Sequence, residues 1–548
     1  MWRRKQRREE YRDVQGAIPA LPSIYEHLRS HLAPDRLTLM KTGMKLPDED
    51  YQKARMGGKP DSIGFAPGAV DGILRGAPIS RDEANENALS LHRALLQFAR
   101  RPTSGSEANM VRLMVNSHAA TSLTPLMHAL SKGPPENLPR FYDQMRALFL
   151  NSGHREVVKF ALAMMASFRK EQDLELFRTA ACHPEFTQYA IDAISRVSHD
   201  PVSELIALTR KSEGWGKVNL IERLMGNDRK EVRDFLVGQG LDDIPNLEGY
   251  VALPLAMRYE LHEILDASQV DPGLLRGAAQ ILRTLAYEAV DGGPDGNILD
   301  YPEGGLAVER FLSHFEPVAS FAGDFLTVWA IKQFAASTEF DETRMLSAGW
   351  DDRRRNRVLE TCNRIIARPE WPERVKRSLS SPDPEEEWRA ITVAKQLGMP
   401  LHDYFVHSLR NEPLRPFIWF HFVSGADETR MDEALLLARE LLDYGSISTG
   451  PAEESDVGPG RERYTCLNYI LQELRRFPGK GWEVIRISLR SPTTTNRRYA
   501  LMALRWWRSP DATTEVISAV RNALSDPSEQ VRKEAGEVLA ILERHSST

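Results

Sequence analysis

Three cysteines, fourteen histidines and one acidic loop are the residues of this chain best suited to chemistry. A haem-thiolate enzyme needs a cysteine on the iron within a glycine-rich loop. Cys182, Cys362 and Cys466 stand far apart instead, each beside helical apolar positions, and no Cys-x-x-Cys occurs. They read as small buried hydrophobes in a reducing compartment, the cytoplasm. His402 and His407 flank Asp403 but are five residues apart, which is not the i, i+4 spacing of a zinc helix. Asp291, Asp295, Asn297 and Asp300 have the outline of a calcium loop, yet the third position is Gly293 and the twelfth is Pro302, so the EF-hand pattern fails. No Gly-x-Ser-x-Gly and no phosphate-cradling glycine loop occurs. The reading is therefore no catalytic residue, no metal site and no cofactor.

Two groups suit binding better. Gly214-Trp215-Gly216 lies between two expected helices, with Lys217 and Arg223 beyond it. Trp215 is either an exposed recognition aromatic or the packing anchor of a turn that needs glycine for backbone reasons. Residues 461–508 hold eleven Lys/Arg against three Asp/Glu, with Tyr464, Tyr469, Trp482, Tyr499, Trp506 and Trp507 among them. If Arg475, Arg476, Arg497, Arg498, Arg505 and Arg508 face one side, that surface could meet a phosphate backbone or an acidic protein. The alternative is a solvated face over a buried aromatic core. Arg353–Arg355 with Arg357, and the cluster Arg3, Arg4, Lys5, Arg7 and Arg8, are shorter versions of the same pattern.

What must position these residues is a helical repeat. Pro382, Pro492 and Pro527 each precede an alanine eight residues on (Ala390, Ala500, Ala535), and Gly153 stands likewise to Ala161. Apolar pairs follow, as in Met164-Met165 and Val538-Leu539. Pro492 and Pro527 are 35 residues apart, a period that fits HEAT-like helix pairs. Each proline reads as the first helical residue, with Asp526 as N-cap and Glu529 as its reciprocal acid in the last repeat. Asp383-Pro384 offers a competing start to Pro382. Ser80 and Glu83 form a capping box for the helix through Leu91, Leu95 and Phe98. Phe141, Met145, Leu148 and Phe149 share a face, as do Val358, Cys362 and Ile365. Leu435, Leu436 and Leu442 form another, with a stop at Gly445.

The expected fold is all-α: an α-solenoid of HEAT-like repeats with an irregular, Gly/Pro-rich N-terminal extension over residues 1–80. Repeat regions follow at 81–290, 306–445 and 464–545, separated by Gly/Pro/Asp-rich loops at 291–305 and 445–462. No apolar run approaches the roughly 18 residues of a membrane span. MWRRKQRREEYRD has no apolar stretch after its basic residues, unlike a secretory signal. A net charge of −6 speaks against a general nucleic-acid binder.

Gly214-Trp215-Gly216-Lys217 running into Ile221-Glu222-Arg223-Leu224, then Glu231-Val232-Arg233-Asp234-Phe235-Leu236 and the Gly-Gly-Pro loop at 292–294, resembles a bacterial group of HEAT-like-repeat proteins often labelled limonene hydroxylase. The resemblance covers residues 150–310. It implies a helical-repeat fold and, under that label, a hydroxylase. The residues themselves offer no haem, flavin or non-haem-iron setting. The leading expectation is a cytoplasmic, non-catalytic scaffold that binds another protein on a concave surface. A nucleic-acid binder acting through 461–508, with DNA-glycosylase-like repair chemistry open to it, is the alternative, and the hydroxylase is the third reading.

Overall fold

A computed structural model describes residues 18–55, 65–76, 81–292, 296–456, 458, 460–508 and 510–546. Among the described residues there are 31 α-helices, four short 3-10 turns and no strand. The all-α expectation therefore holds, and no helix there is long and apolar enough to cross a membrane. Packing divides the chain into two compact units, the first ending at Arg377 and the second beginning at Ser378.

In the first unit, nine helices pack one on the next. They are Arg81–Arg100, Ala119–Lys132, Arg155–Ala166, Thr187–Val197, Gly214–Leu224, Glu248–Arg258, Pro272–Asp291, Ala322–Ala336 and Asp352–Ile366. Intervening helices such as Leu138–Asn151, Pro201–Thr209 and Lys230–Gln239 lie against this row. In the second unit Pro416–Val423, Glu462–Leu474, Thr494–Leu504 and Glu529–Ser546 pack in the same serial way. Within the extension, the described residues form short helices, Ile24–Ser30, Glu49–Arg55 and Ala69–Gly76. The first packs on Leu138–Asn151 and the third on Ala119–Lys132.

The repeat motif marks real helix starts, displaced by two residues. Helices begin at Arg155, Pro384, Thr494 and Glu529, each two positions after Gly153, Pro382, Pro492 and Pro527. Asp383 caps the second of these by accepting from the Glu385 N–H at 3.0 Å, so Asp383-Pro384 is the start and Pro382 is outside. Asp526 does not form the expected box with Glu529: its carboxylate accepts from the Ser528 N–H at 2.9 Å and is shared with an arginine described below. The common displacement keeps the frame intact: Ala161, Ala390, Ala500 and Ala535 are all fully buried. Ser80, the expected cap of Arg81–Arg100, lies outside the described residues, as does the Arg3–Arg8 cluster.

The apolar faces follow their periods. Phe141, Met145, Leu148 and Phe149 are buried together, as are Val358, Cys362 and Ile365. One frame is corrected. The run Leu435-Leu436-Leu437 admits two frames, and the one shared with Met431 and Ala434 wins. Leu436 is left 68% exposed. That helix ends at Leu441, and Gly445 sits in the next short helix rather than at a left-handed cap.

Candidate functional site

Gly214-Trp215-Gly216 is the first turn of a helix, not a link between helices. Gly214 takes a left-handed φ of +57°, which glycine adopts without strain. The Trp215 ring packs 4.9 Å from the Tyr250 ring. On its other side it lies so close to Gly72 that a Cβ there would stand 2.8 Å from Cζ3. Trp215 is thus a packing anchor against the helix Ala69–Gly76. Lys217 is buried, with Nζ 3.7 Å from Asp243 and its pKa drawn below the usual lysine value by burial. Arg223 stays half exposed, 3.7 Å from Asp192. The three side chains serve separate partners and do not converge.

The basic segment does not present one arginine face. Arg497 is fully buried. Its guanidinium donates twice to Asp526, at 2.7 and 2.9 Å, and once to the Ser491 carbonyl at 2.7 Å. This corrects the expectation that it faces outward: a fixed fork of donors met a carboxylate placed to take two of them. Arg476, Arg498 and Arg505 pair with Glu473, Glu534 and Glu537 at 2.7, 2.7 and 3.4 Å. Arg508 donates to the Trp507 carbonyl, and Arg475 is exposed. Trp507 is buried, whereas Trp506 is 54% exposed.

The densest set of charges lies elsewhere, and inside. Lys159, on Arg155–Ala166, is 1% exposed. Its Nζ stands 2.9 Å from Asp71, 2.9 Å from Glu156 and 2.6 Å from Glu185. Glu185 also accepts from the Gly68 N–H at 2.9 Å, and Glu156 from the Ala119 N–H at 2.7 Å. Asp71 accepts from the Tyr189 hydroxyl at 2.9 Å. Arg155 beside it binds Asp48 at 2.9 Å and Glu49 at 2.7 Å. Burial by itself would lower the Lys159 pKa, but Glu156, Glu185 and Asp71 together raise it well above the usual lysine value. Burial pushes Asp71 up against the pull of Lys159. Glu185 is buried too, yet Lys159 and Arg155 hold it below the carboxylate range. Asp71, Glu156 and Glu185 are the one group among the described residues close enough to share a metal ion. The Lys159 ammonium sits at their centre and gives each of them a contact. A cation entering would have to displace it.

Only Glu156 and Lys159, one helical turn apart, could have been paired from sequence. Asp71 and Glu185 arrive from 88 positions before and 26 after Lys159, and nothing local announces them. The cluster ties residues 65–76 to the helical row. It leaves no open position for a substrate.

No family model matches the chain, and no curated protein matches it.

The second unit offers an open surface. Trp388, Thr392 and Lys395 share one face of the helix Pro384–Gln396. Lys395 donates to His421 Nδ1 at 2.7 Å. Burial, then the charge of Lys395, pushes His421 down to about 4, so the ring is neutral and its proton sits on Nε2, a buried atom with no hydrogen-bond partner. Phe417 and Phe420 flank that ring at 4.3 and 5.0 Å, and Phe420 meets Tyr469 at 5.2 Å. Trp388 and Phe420 are 43% and 41% exposed. The strip runs from one helix to a third, and among the described residues no carboxylate pairs with Lys395.

Proposed function

We propose that the chain is a non-catalytic α-solenoid of HEAT-like repeats that binds another protein. The observation that carries this is the serial packing of helices in each unit, each against the next, with a second row alongside. Such stacks bury their apolar faces between neighbours and keep long outer surfaces for contacts. Aromatic residues are enriched where proteins meet, and the Trp388–Phe420–Tyr469 strip supplies one such surface. Binding on a concave face, rather than at a catalytic pocket, fits a buried charge cluster that is already satisfied. Cytoplasmic residence fits three free, buried cysteines, whose thiols burial raises to about 12.

The nucleic-acid reading has less support, because four of the six arginines it relies on are held by carboxylates. The test is quantitative co-purification of the wild-type chain against the pair Trp388→Ser/Phe420→Ser, with partners identified by mass spectrometry. The expected result is a stoichiometric protein that the variant loses while its melting temperature is unchanged. Equal recovery by both would contradict the reading.

A further inference from the structure

A short helix of this chain already fills a groove in the chain's own helical row. The helix Ala69–Gly76 sends Asp71 inward, where its Oδ2 takes three donors. They are Lys159 Nζ at 2.9 Å, the Tyr189 hydroxyl at 2.9 Å and Gln188 Nε2 at 3.1 Å. The next residue, Gly72, lies against the Trp215 indole with no room for a Cβ. Three positions before Asp71, Gly68 gives its N–H to Glu185 at 2.9 Å, and a Cβ there would stand 2.7 Å from the Pro184 carbonyl oxygen. The donors and the indole belong to three successive members of the row, Arg155–Ala166, Thr187–Val197 and Gly214–Leu224. What the groove reads is therefore a glycine, two further residues, then Asp-Gly.

The groove keeps its charges balanced without this helix. Glu156 and Glu185 stand 2.9 and 2.6 Å from Lys159, so one ammonium already faces two carboxylates. Asp71 adds a third, its oxygen within 4.8 Å of theirs. Like charges that close oppose one another. The helix's own hold is thin. Across residues 65–72 Ala69 is the one apolar side chain that is buried, and Phe65 is exposed. Segments with few buried apolar contacts open at low cost, and a helix of eight residues does not sustain itself in water. Its anchor is polar, which selects an occupant more than it fastens one.

We propose that the helix Ala69–Gly76 is an autoinhibitory occupant, and that its groove receives a helix of the bound protein with the same Gly-x-x-Asp-Gly pattern. The incoming carboxylate takes the donors of Lys159, Tyr189 and Gln188, and the second glycine lies under Trp215. The proposal rests on the protein-binding reading above and adds what the partner presents and what it displaces.

The probe is a fluorescein-labelled peptide of residues 65–76, FAPGAVDGILRG, followed by anisotropy with the full chain. In the chain variant Asp71→Ala/Gly72→Val the resident helix loses its carboxylate and collides with Trp215, while every groove residue is kept. That variant should bind the peptide at least about tenfold more tightly than wild type, in which the tethered helix competes at high effective concentration. A peptide carrying Asp71→Ala should bind the variant at least about tenfold more weakly, because three donors lose their acceptor. Equal affinity of the wild-type and variant chains for the peptide would overturn the proposal, as would equal affinity of the two peptides for the variant. If the double variant does not fold, Asp71→Ala alone replaces it with the same expectations. If neither folds, the helix is an integral part of the unit and the proposal falls. If the peptide fails while the Trp388/Phe420 pair still loses a partner, the groove proposal falls alone; if both fail, the protein-binding reading falls as well.

Discussion

Replacing Lys159 with methionine keeps most of the side-chain volume and removes the charge. Packing loss should then be small, below about 1.5 kcal/mol for a volume-conserving change. The electrostatic loss is larger. Three carboxylates now contact the ammonium at 2.6–2.9 Å in a site 1% exposed. Breaking a buried ion pair by removing one partner costs about 3–5 kcal/mol, because the remaining charge is stranded. That is a large share of the roughly 5–15 kcal/mol by which a domain is stable. At about 2–4 °C per kcal/mol, the melting temperature should fall by roughly 10 °C. The assay is thermal unfolding followed by circular dichroism at pH 7.5. Adding Glu156→Gln and Glu185→Gln to the methionine variant should restore much of the loss, since the stranded charges are then neutral. Limited proteolysis should also cut the methionine variant within residues 65–76, because Glu185, which holds the Gly68 N–H, loses its counter-charge. A melting temperature within about 2 °C of wild type would refute the reasoning, for it would mean the ammonium does not neutralise this cluster.

Three further outcomes follow from buried groups of the two units. Arg497→Ala should destabilise the second unit by about 3–5 kcal/mol through the stranded Asp526, while Arg475→Ala should change it by less than about 0.5 kcal/mol; urea melts of both distinguish them. Ala500→Phe should cost about 1–3 kcal/mol by overpacking a fully buried position, visible as a lower urea midpoint. Acidification should destabilise the first unit through His183, which burial lowers to about 4 from an ordinary value of 6.5. Between those pH values the unfolded chain binds the proton and the folded chain does not, so stability is present above about 6.5 and is lost toward pH 4, by up to about 3 kcal/mol. His183→Gln should flatten that part of a stability-versus-pH curve.

Helical class, the faces of Phe141–Phe149 and Val358–Ile365, and the four buried alanines were legible because they are local and periodic. Helix starts were legible to within two residues. Proline marked the approach to three of the four helices, but in one of them Asp383 decided the first turn. Site reading fared worse for a physical reason. An arginine looks the same in sequence whether it faces water or a buried carboxylate, and Asp526, which takes Arg497 inside, lies 29 positions away. Lys159 shows the same limit. Two of its three caging carboxylates, Asp71 and Glu185, come from other parts of the chain, so composition could not reveal the cage. Trp215 was resolved from two stated alternatives only by Gly72, whose missing side chain makes room for the ring.

The central claim, that this is a protein-binding helical stack, is tested most directly by a photo-crosslinker at Phe420. A benzophenone amino acid placed there, in cells that naturally make the protein, should yield on irradiation one discrete protein adduct, absent when the same group replaces the exposed Glu360. Adducts to nucleic acid, or identical labelling at both positions, would contradict the account.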